Sequence, residues 1–280
     1  MKINLAKSAG FCFGVKRALD IAFKTAKSGA EVYMLGNIVH NEDVIKETEK
    51  AGIKKINKLA SNGKNKTLLI RAHGAGINTF SKAAKLGYKI VDATCPMVKE
   101  IHKIAKENEI KGYKIIIIGD KKHDEVRGII GQLKNKAIII DNLKNIPFEK
   151  IKKTKKAAVI SQSTQKLEKV SEIVNILKQH IKGLKFFNTI CRPTRIKQAE
   201  INCLPLENDI VIIIGSKTSA NTRRLFEIAK SLNPHAYWIQ SKKELRPSWF
   251  KNKRSVGITA GASTPEWITK EVIHYIKNLN

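Results

Sequence analysis

The sequence lacks closely spaced cysteines, because its four cysteines are spread widely over 280 residues. That spacing argues against a disulfide framework and leaves metal ligands, catalytic groups or core residues as roles for the thiols. The sequence also lacks an apolar segment long enough to span a bilayer or to form the core of a signal peptide. We therefore expect a soluble, cytoplasmic protein.

Acidic residues are scarce: 24 Asp and Glu stand against 53 Lys and Arg, which gives a formal net charge of +29. Such a charge is typical of nucleic-acid-binding proteins, but these basic residues are spread along the whole chain rather than gathered into one patch or tail. A nucleic-acid partner is therefore disfavoured. The positive field suits an anionic substrate and an acidic partner protein equally well.

Nucleotide-binding motifs are absent too. No GxxxxGK[ST] phosphate loop occurs, and "GFCFG" near the start of the chain is not a dinucleotide fingerprint. What the sequence has instead is an alternation of short runs rich in Ile and Val, such as "KIIIIG" and "DIVIIIG", with segments of helical periodicity, such as "KLEKVSEIVNILKQHI". Strand alternating with helix predicts an α/β fold with mainly parallel sheets.

Three of the cysteines share a local pattern that repeats along the chain. Each opens a helical segment, has a basic residue four positions later, and is followed 24 positions later by a glycine that ends a strand. The repeat predicts three pseudo-symmetric α/β units around a pseudo-threefold axis, over residues 1–92, 93–188 and 189–280, the third with a C-terminal helix. Its members are Cys12, Cys95 and Cys191, the basic residues Lys16, Lys99 and Arg195, and the glycines Gly36, Gly119 and Gly215.

Polar side chains follow two strands in every predicted unit. Ligands of open α/β sheets bind beyond the carboxyl ends of the strands, where loops start helices. Each unit thus offers one cysteine and two polar corners to the same edge, and we expect the corners to converge around the cysteines. The corners are His40, His73, His123, Ser163 with Thr164, Ser219 and Ser263.

The three matched cysteines suit a metal centre. A thiolate at a helix N-terminus has a lowered pKa, which favours either metal ligation or nucleophilic attack. Structural zinc sites usually show closely spaced ligand pairs, and a nucleophile needs only one cysteine. We prefer a [4Fe-4S] cluster held by Cys12, Cys95 and Cys191, which would leave one iron open for substrate. Cys203 lacks the pattern and is predicted to be an ordinary buried core residue.

The polar corners favour a phosphate or diphosphate ligand, because hydroxyl, amide and imidazole donors near helix starts bind anions well. Glu125, two residues after His123, is the best-placed carboxyl group for delivering a proton, and an exposed glutamate at a helix start is the alternative reading. Asn221 joins the corners as a candidate ligand. No site role is predicted for the histidines outside the repeated positions, which are His102, His180, His235 and His274.

At the level of whole motifs the chain resembles the 4-hydroxy-3-methylbut-2-enyl diphosphate reductase family of the non-mevalonate isoprenoid pathway. The motifs cover nearly the full length in order: "AGFCFGVKRAL", "GNIVHN", "RAHGAG", "DATCP", "HDEVRGIIGQ", "SQSTQ", "TICRPTRIKQ", "GSKTSANTRRL" and "TAGASTPEWI". The resemblance implies a trefoil of three α/β units around a [4Fe-4S] cluster held by the three matched cysteines. It also implies reductive dehydroxylation of the diphosphate substrate, with two electrons and two protons, to isopentenyl and dimethylallyl diphosphates.

Residue by residue, the resemblance implies that Glu125 is the proton source, with Ser163 and Thr194 beside the substrate. It implies an external ferredoxin or flavodoxin as electron donor. The chain departs from the family pattern at Ser163, where threonine is usual, and at Ala220, where many relatives have serine; the second change puts one diphosphate contact in doubt. The implied diphosphate ligands are His40, His73, His123, Ser219, Asn221 and Ser263.

Two other functions stay open on the residues alone. One is another [4Fe-4S] enzyme of the hydro-lyase type, which would remove water without consuming a reductant. The other is a basic nucleic-acid-binding or metal-storage module; a steep salt dependence of DNA or RNA affinity would support it. Neither of them predicts the matched polar corners.

Overall fold

The structure, a computed structural model, describes residues 1–279. The strands are β1 (Lys2–Leu5), β2 (Glu31–Leu35), β3 (Ile53–Ile56), β4 (Lys66–Ile70), β5 (Lys89–Asp92), β6 (Lys114–Ile118), β7 (Ile138–Ile140), β8 (Lys156–Ser161), β9 (Gly183–Phe186), β10 (Ile210–Ile214), β11 (Ala236–Ile239) and β12 (Ser255–Ala260). The α-helices are α1 (Phe13–Ala26), α2 (Glu42–Lys50), α3 (Ile77–Lys85), α4 (Pro96–Ile110), α5 (Asp124–Ile130), α6 (Phe148–Lys152), α7 (Leu167–His180), α8 (Arg192–Cys203), α9 (Ala220–Leu232) and α10 (Glu266–Lys277). Short 3₁₀ turns cover Leu143–Asn145, Lys242–Glu244 and Pro247–Phe250.

The strands form three four-stranded sheets with one strand order. The first sheet runs β3-β2-β4-β5, the second β7-β6-β8-β9 and the third β11-β10-β12-β1. Their strand pairs are parallel, and helices follow the strands along the chain. This confirms the predicted α/β fold with parallel sheets.

The strand β1 forms one edge of the third sheet. β1 pairs with β12, so that Lys2 lies opposite Ser255 and Leu5 opposite Ile258. In the order common to all three sheets, β1 therefore takes the place of β5 and β9. The predicted unit boundaries at residues 93 and 189 stay a prediction, to which this pairing adds that one strand is supplied from the beginning of the chain.

The chain divides into two compact regions. The first comprises residues 1–16, 39–45 and the chain from Arg192 onward, and it holds the third sheet. The second comprises residues 17–38 and 46–191, and it holds the first and second sheets.

The strand cores are continuous apolar runs because helices cover both faces of the sheets. In the second sheet, Ile116 and Ile118 pack with α7, whereas Ile115 and Ile117 pack with α4. The third sheet repeats this arrangement with α10 on one face and α8 and α9 on the other. Each fully buried isoleucine contributes about 2 kcal/mol relative to an exposed one, so the runs of "IIII" stabilise strands that are covered on both faces.

Within residues 1–279, no helix is both long enough and apolar enough to cross a membrane.

Candidate functional site

The three matched cysteines have the same backbone environment. Each follows the last strand of its sheet and stands immediately before a helix: Cys12 before α1, Cys95 before α4 and Cys191 before α8. Each amide donates to a carbonyl two residues beyond the neighbouring strand. The acceptors are Ala262 after β12 (3.1 Å), Ala72 after β4 (3.0 Å) and Ser163 after β8 (3.0 Å). An equivalent backbone hydrogen bond therefore fixes the position of each cysteine relative to its sheet.

The cysteines differ from Cys203 in burial and position. Cys12, Cys95 and Cys191 are half-buried, and the carbonyls of Cys12 and Cys95 accept the first helical hydrogen bond of the helices that follow them. Cys203 is the last residue of α8 and is exposed, so the prediction that it is a core residue is wrong. Its apolar neighbours Ile201 and Leu204 face the core, whereas the helix turns the Cys203 side chain towards solvent.

The repeated glycines fix the turns that lead to the first set of polar corners. Gly36, Gly119 and Gly215 directly follow β2, β6 and β10, and each amide donates to the last residue of the edge strand beside it. Gly36 has a φ of 76° and Gly215 a φ of 149°, both in the region that favours glycine. A Cβ at Gly119 would stand 2.9 Å from the side chains of Gln162 and Val126, so the tight packing there excludes a side chain.

Glu125 is buried and tightly held. It lies in the first turn of α5, exposes 2% of its surface and accepts two hydrogen bonds from Ser163: from the amide at 2.6 Å and from Oγ at 2.7 Å. His123 caps the same helix, because its Nδ1 accepts from the Glu125 amide at 3.2 Å. The structure therefore disfavours the reading of Glu125 as an exposed helix-start residue.

Ser163 links this carboxyl group to a cysteine. Its amide and hydroxyl groups donate to Glu125, while its carbonyl accepts from the amide of Cys191. A predicted proton source and a predicted metal ligand thus contact the same residue. The serine hydroxyl can both accept and donate, so it can pass a proton on from the carboxyl group.

His73 and His123 lie against each other. Their rings meet edge to face with centroids 5.4 Å apart. The two histidines come from corners of the first and second sheets, so the second compact region brings together two of the predicted ligands.

In the first compact region, Ser263 Oγ donates to the carbonyl of His40 at 3.1 Å. Ser219 caps α9, and its Oγ accepts from the Thr222 amide at 3.3 Å. Asn221 in the first turn of α9 is 6% exposed, and within residues 1–279 its Nδ2 has no hydrogen-bond partner. A buried amide donor without an acceptor at a helix start suits an anionic ligand. Thr194 is buried in the first turn of α8.

An ion pair and a buried lysine were not predicted. Arg71, in the loop after β4, forms an ion pair with Asp124 at 2.6 Å, and both side chains are about four-fifths buried. Gly36 makes room for it, because a Cβ there would stand 2.6 Å from the guanidinium. The signal was available, since Arg71 stands in "RAHGAG" and Asp124 in "HDEVRG", but the repeat of polar corners singles out only the histidine of each motif.

The buried lysine is Lys197, which lies in α8 and exposes 2% of its surface. Its ammonium donates to the carbonyls of Ser8 and Ala260, four residues before Cys12 and two before Ala262 respectively. Lys197 therefore holds both segments that the Cys12 hydrogen bond joins, the one before Cys12 and the one before Ala262. The sequence carries no signal for this role, because a lysine in a polar helix is normally exposed.

His102, in α4, is buried beside the loop after β4 and beside α5. A Cβ at Gly74 would stand 2.9 Å from its ring, and one at Gly128 would stand 3.5 Å from it. Burial lowers the pKa of His102 to about 4, although the nearby charge of Asp92 opposes the shift. The imidazole is therefore neutral at physiological pH and serves as a packing group between the His73 loop and α5.

Three parallel sheets of one strand order, each leading to a cysteine at a helix start and to polar side chains at strand ends, define a class of repeated α/β proteins with a thiol-bearing ligand site. The chain belongs to the LytB protein family, whose sequence model matches residues 3–277.

Individual relatives agree with this assignment. The chain is 40% identical over 280 residues to a 4-hydroxy-3-methylbut-2-enyl diphosphate reductase of Clostridioides difficile, with 100% of both chains covered. It is 38% identical over 285 residues to the protein of the same name from Aquifex aeolicus, covering 99% of this chain and 96% of the relative.

Two solved structures have the same fold. One is a structure of (E)-4-hydroxy-3-methyl-but-2-enyl diphosphate reductase, described as the terminal enzyme of the non-mevalonate pathway, with a TM-score of 0.73, 38% identity and 99% of both chains covered. The other is the E-1-hydroxy-2-methyl-but-2-enyl-4-diphosphate reductase from Plasmodium falciparum, with a TM-score of 0.90, 28% identity, 99% of this chain and 88% of that chain covered.

Proposed function

We propose that this protein is a 4-hydroxy-3-methylbut-2-enyl diphosphate reductase. The reaction removes the substrate hydroxyl group as water and consumes two electrons and two protons, giving isopentenyl and dimethylallyl diphosphates. The observation that carries the proposal in this chain is the contact of Ser163 with both Glu125 and Cys191, because it joins an acid to a thiol ligand. Family membership over residues 3–277 supports it independently.

Cys12, Cys95 and Cys191 would hold a [4Fe-4S] cluster. The donor set fits such a group: three half-buried thiols, each directly before a helix, where the helix dipole and unpaired amides favour the thiolate form. When bound, the cluster supplies electrons one at a time and a Lewis-acidic iron. Thiolate ligands need a reducing compartment, so we place the enzyme in the cytoplasm.

The diphosphate would be bound by hydroxyl, amide and imidazole groups at strand ends and helix starts. Ser219 and Asn221 stand at the start of α9, where the positive end of the helix dipole favours an anion, and His123 stands directly before α5. His73 contacts His123, and Ser263 contacts His40. The proposed ligands are His40, His73, His123, Ser219, Asn221 and Ser263.

Glu125 would supply a proton to the leaving hydroxyl group, with Ser163 and Thr194 beside it. In its protonated form the buried carboxyl group can donate to Ser163 Oγ, which in turn donates to the substrate. The amide of Ser163 keeps the carboxyl group from rotating away. The electrons would come from an external carrier protein such as a ferredoxin or flavodoxin.

The test compares Glu125→Gln and Cys203→Ser with the native chain after anaerobic purification. We expect Glu125→Gln to keep its iron and acid-labile sulfide and to lose turnover by about 10²- to 10⁴-fold, because glutamine keeps the shape but carries no proton to give. Cys203→Ser is the control and should keep both the iron and the activity. Consumption of about two one-electron equivalents of reduced viologen per product separates a reductase from a hydro-lyase.

Near-normal turnover by Glu125→Gln would remove this residue from the role. Serine variants at Cys12, Cys95 and Cys191 complete the test, since each should lose most of its iron. If they retain it, or if Cys203→Ser loses as much, the cysteines are wrongly assigned.

A further inference from the structure

An apolar and basic surface surrounds Cys12. We call it the Cys12 face, and it consists of Phe11, Phe13, Lys16, Trp267 and Lys270. Phe13 directly follows the cysteine and exposes 70% of its surface, and Trp267 on α10 exposes 40%. Phe11, directly before the cysteine, meets the Trp267 ring edge to face at 6.5 Å. Exposed aromatic side chains grouped in this way mark interaction sites.

Backbone contacts hold the two sides of this face together. The amide of Cys12 donates to Ala262, and a Cβ at Gly10 would stand 3.4 Å from the carbonyl of Thr264. Residues 10–12 therefore lie along the start of α10. Lys16 follows one turn into α1, within electrostatic reach of Glu266 in the first turn of α10.

The charge of the face is positive. Its acidic neighbour Glu266 is neutralised by Lys270, which bonds it at 2.8 Å. Lys16 remains, exposed and one helical turn beyond the cysteine, and Lys7 is exposed on the same segment of chain. With a net charge of +29, the whole chain attracts an acidic protein from a distance, and Lys16 offers it a positive charge beside the aromatic side chains.

The same pairing recurs after the other two matched cysteines. The helix after Cys95 exposes Met97 (44%) and Lys99, and the helix after Cys191 exposes Ile196 (41%) and Arg195. The basic residue four positions after each cysteine is thus exposed in all three repeats, with Lys99 also paired to Asp92 at 2.6 Å, and the proposed substrate contacts use none of the three.

We propose that the Cys12 face is the docking site of a small, acidic, one-electron carrier protein. The inference rests on the proposed function, whose reaction takes up two electrons and two protons and releases water. Two successive dockings balance it, since each oxidises one reduced carrier by one electron. Because Phe11 and Phe13 directly precede and follow Cys12 in the chain, a carrier that binds to them lies next to a proposed thiol ligand.

The experiment uses an acidic [2Fe-2S] ferredoxin and reduced methyl viologen as two alternative donors to the cluster-loaded full chain. We expect Phe13→Ala and Lys16→Glu each to lower kcat/KM for the ferredoxin by about tenfold and to raise its Kd in a titration by about the same factor. Turnover with viologen, a small cation that needs no docking surface, should stay within about twofold. Added salt should weaken ferredoxin binding, and less steeply in Lys16→Glu.

Lys277→Glu is the matched control, because it makes the same charge change on α10 but about 15 Å along the helix from Trp267. It should leave the ferredoxin Kd nearly unchanged. Equal losses with both donors, losses as large in Lys277→Glu, or a native chain that does not bind the ferredoxin saturably would overturn the docking proposal. A cluster-loaded native chain that fails to reduce the substrate with viologen would instead refute the proposed function, while the ferredoxin titration would still judge the face.

Discussion

Ser163 shows how much one small residue does in this protein. Three of its atoms are engaged: the amide and the hydroxyl donate to Glu125, and the carbonyl accepts from Cys191. By the motif resemblance a threonine is expected at this position, and its methyl group would restrict the rotamer. Here two hydrogen bonds to one carboxyl group do that work, so the loss of the methyl group leaves the hydroxyl group in place.

His102 gives a prediction at the same scale. Burial lowers its pKa to about 4 from an ordinary value of 6.5, so the unfolded chain takes up this proton first as the pH falls. The stability that the neutral ring contributes is fully present above pH 6.5 and is lost as the pH falls towards 4. We expect His102→Gln to reduce the fall in unfolding free energy over this range by about 3 kcal/mol, measured by urea denaturation at a series of pH values.

The control for His102 is His235→Gln, since His235 is exposed. It should leave the pH dependence of the unfolding free energy close to that of the native chain. The same dependence in native protein and His102→Gln would mean that the ring is not buried as a neutral group.

Residue types and spacings in the sequence were enough to predict the local setting of the site residues, but not which atoms meet. The cysteines stand at helix starts and Glu125 in a first turn, as the repeat predicts. The sequence could not predict that Ser163 holds Glu125, because one residue lies in the loop after β8 and the other in the first turn of α5, 38 positions apart. Buried charges such as Lys197 also escape a reading that expects lysine at the surface.

At the scale of elements, the loop after β4 and helix α5 are joined by several contacts. Gln132 donates to the carbonyl of Ala75 at 2.7 Å, the amide of Ile77 donates to Gly131 at 2.9 Å, and Gly76 and Gly131 are so close that neither can carry a Cβ. The Arg71–Asp124 ion pair adds a charged contact at the other end of α5. Together they set the position of His73 relative to the helix that carries Glu125.

We expect Asp124→Asn to destabilise the chain by about 1–2 kcal/mol, because it leaves a largely buried guanidinium without its counter-charge. Since His73 and His123 flank the pair, the KM for the diphosphate substrate should rise more than kcat falls. Thermal unfolding and steady-state kinetics on the same preparation measure both effects.

Glu31→Gln is the matched control for the ion pair. Glu31 bonds Lys54 at 2.6 Å in the same compact region, but both side chains are about half exposed, so solvent screens the interaction. This variant should resemble the native chain in both measurements. An unchanged Tm and KM in Asp124→Asn would show that the backbone contacts alone position α5.

At the scale of the whole molecule, the third sheet differs from the other two only in its connectivity. In the first sheet a helix, α3, leads from β4 to β5, and in the second α7 leads from β8 to β9. In the third, α10 follows β12, but the strand in the corresponding place is β1. The covalent connection that three residues make after α3 and two after α7 is missing there.

This arrangement predicts that a circular permutant will fold. Joining the end of the chain to Met1 by a short glycine and serine linker and opening it at Gly29, in an exposed turn with a φ of 76°, should give three repeats in uninterrupted order. We expect a cooperative unfolding transition with a Tm within about 8 °C of the native value, followed by circular dichroism.

A permutant with the same linker but opened between Ile117 and Ile118, in the buried strand β6, is the control and should not fold. If the Gly29 permutant is equally unfolded, α10 and β1 are not related as the helix and strand of the other sheets are.

The repeat of cysteine, basic residue and glycine in the sequence was enough to predict three similar sheets, because the spacing from cysteine to glycine counts the residues of one helix and the strand after it. It could not predict that β1 pairs with β12 and so belongs to the third sheet. "KINL" carries the same pattern of apolar residues whichever parallel neighbour it pairs with, so only the assembled sheet decides its partner.

Because β1 pairs with β12, the third sheet can be completed only late in the synthesis of the chain. β1 is made about 250 residues before Ser255–Ala260, so it meets its partner strand roughly 12 to 50 seconds after its own synthesis. Through that interval the first two sheets can form, while the segment carrying Cys12 still lacks its anchor at Ala262. Without β12 and the segment after it the environment of Cys12 stays incomplete, whereas the backbone hydrogen bonds of Cys95 and Cys191 do not depend on it.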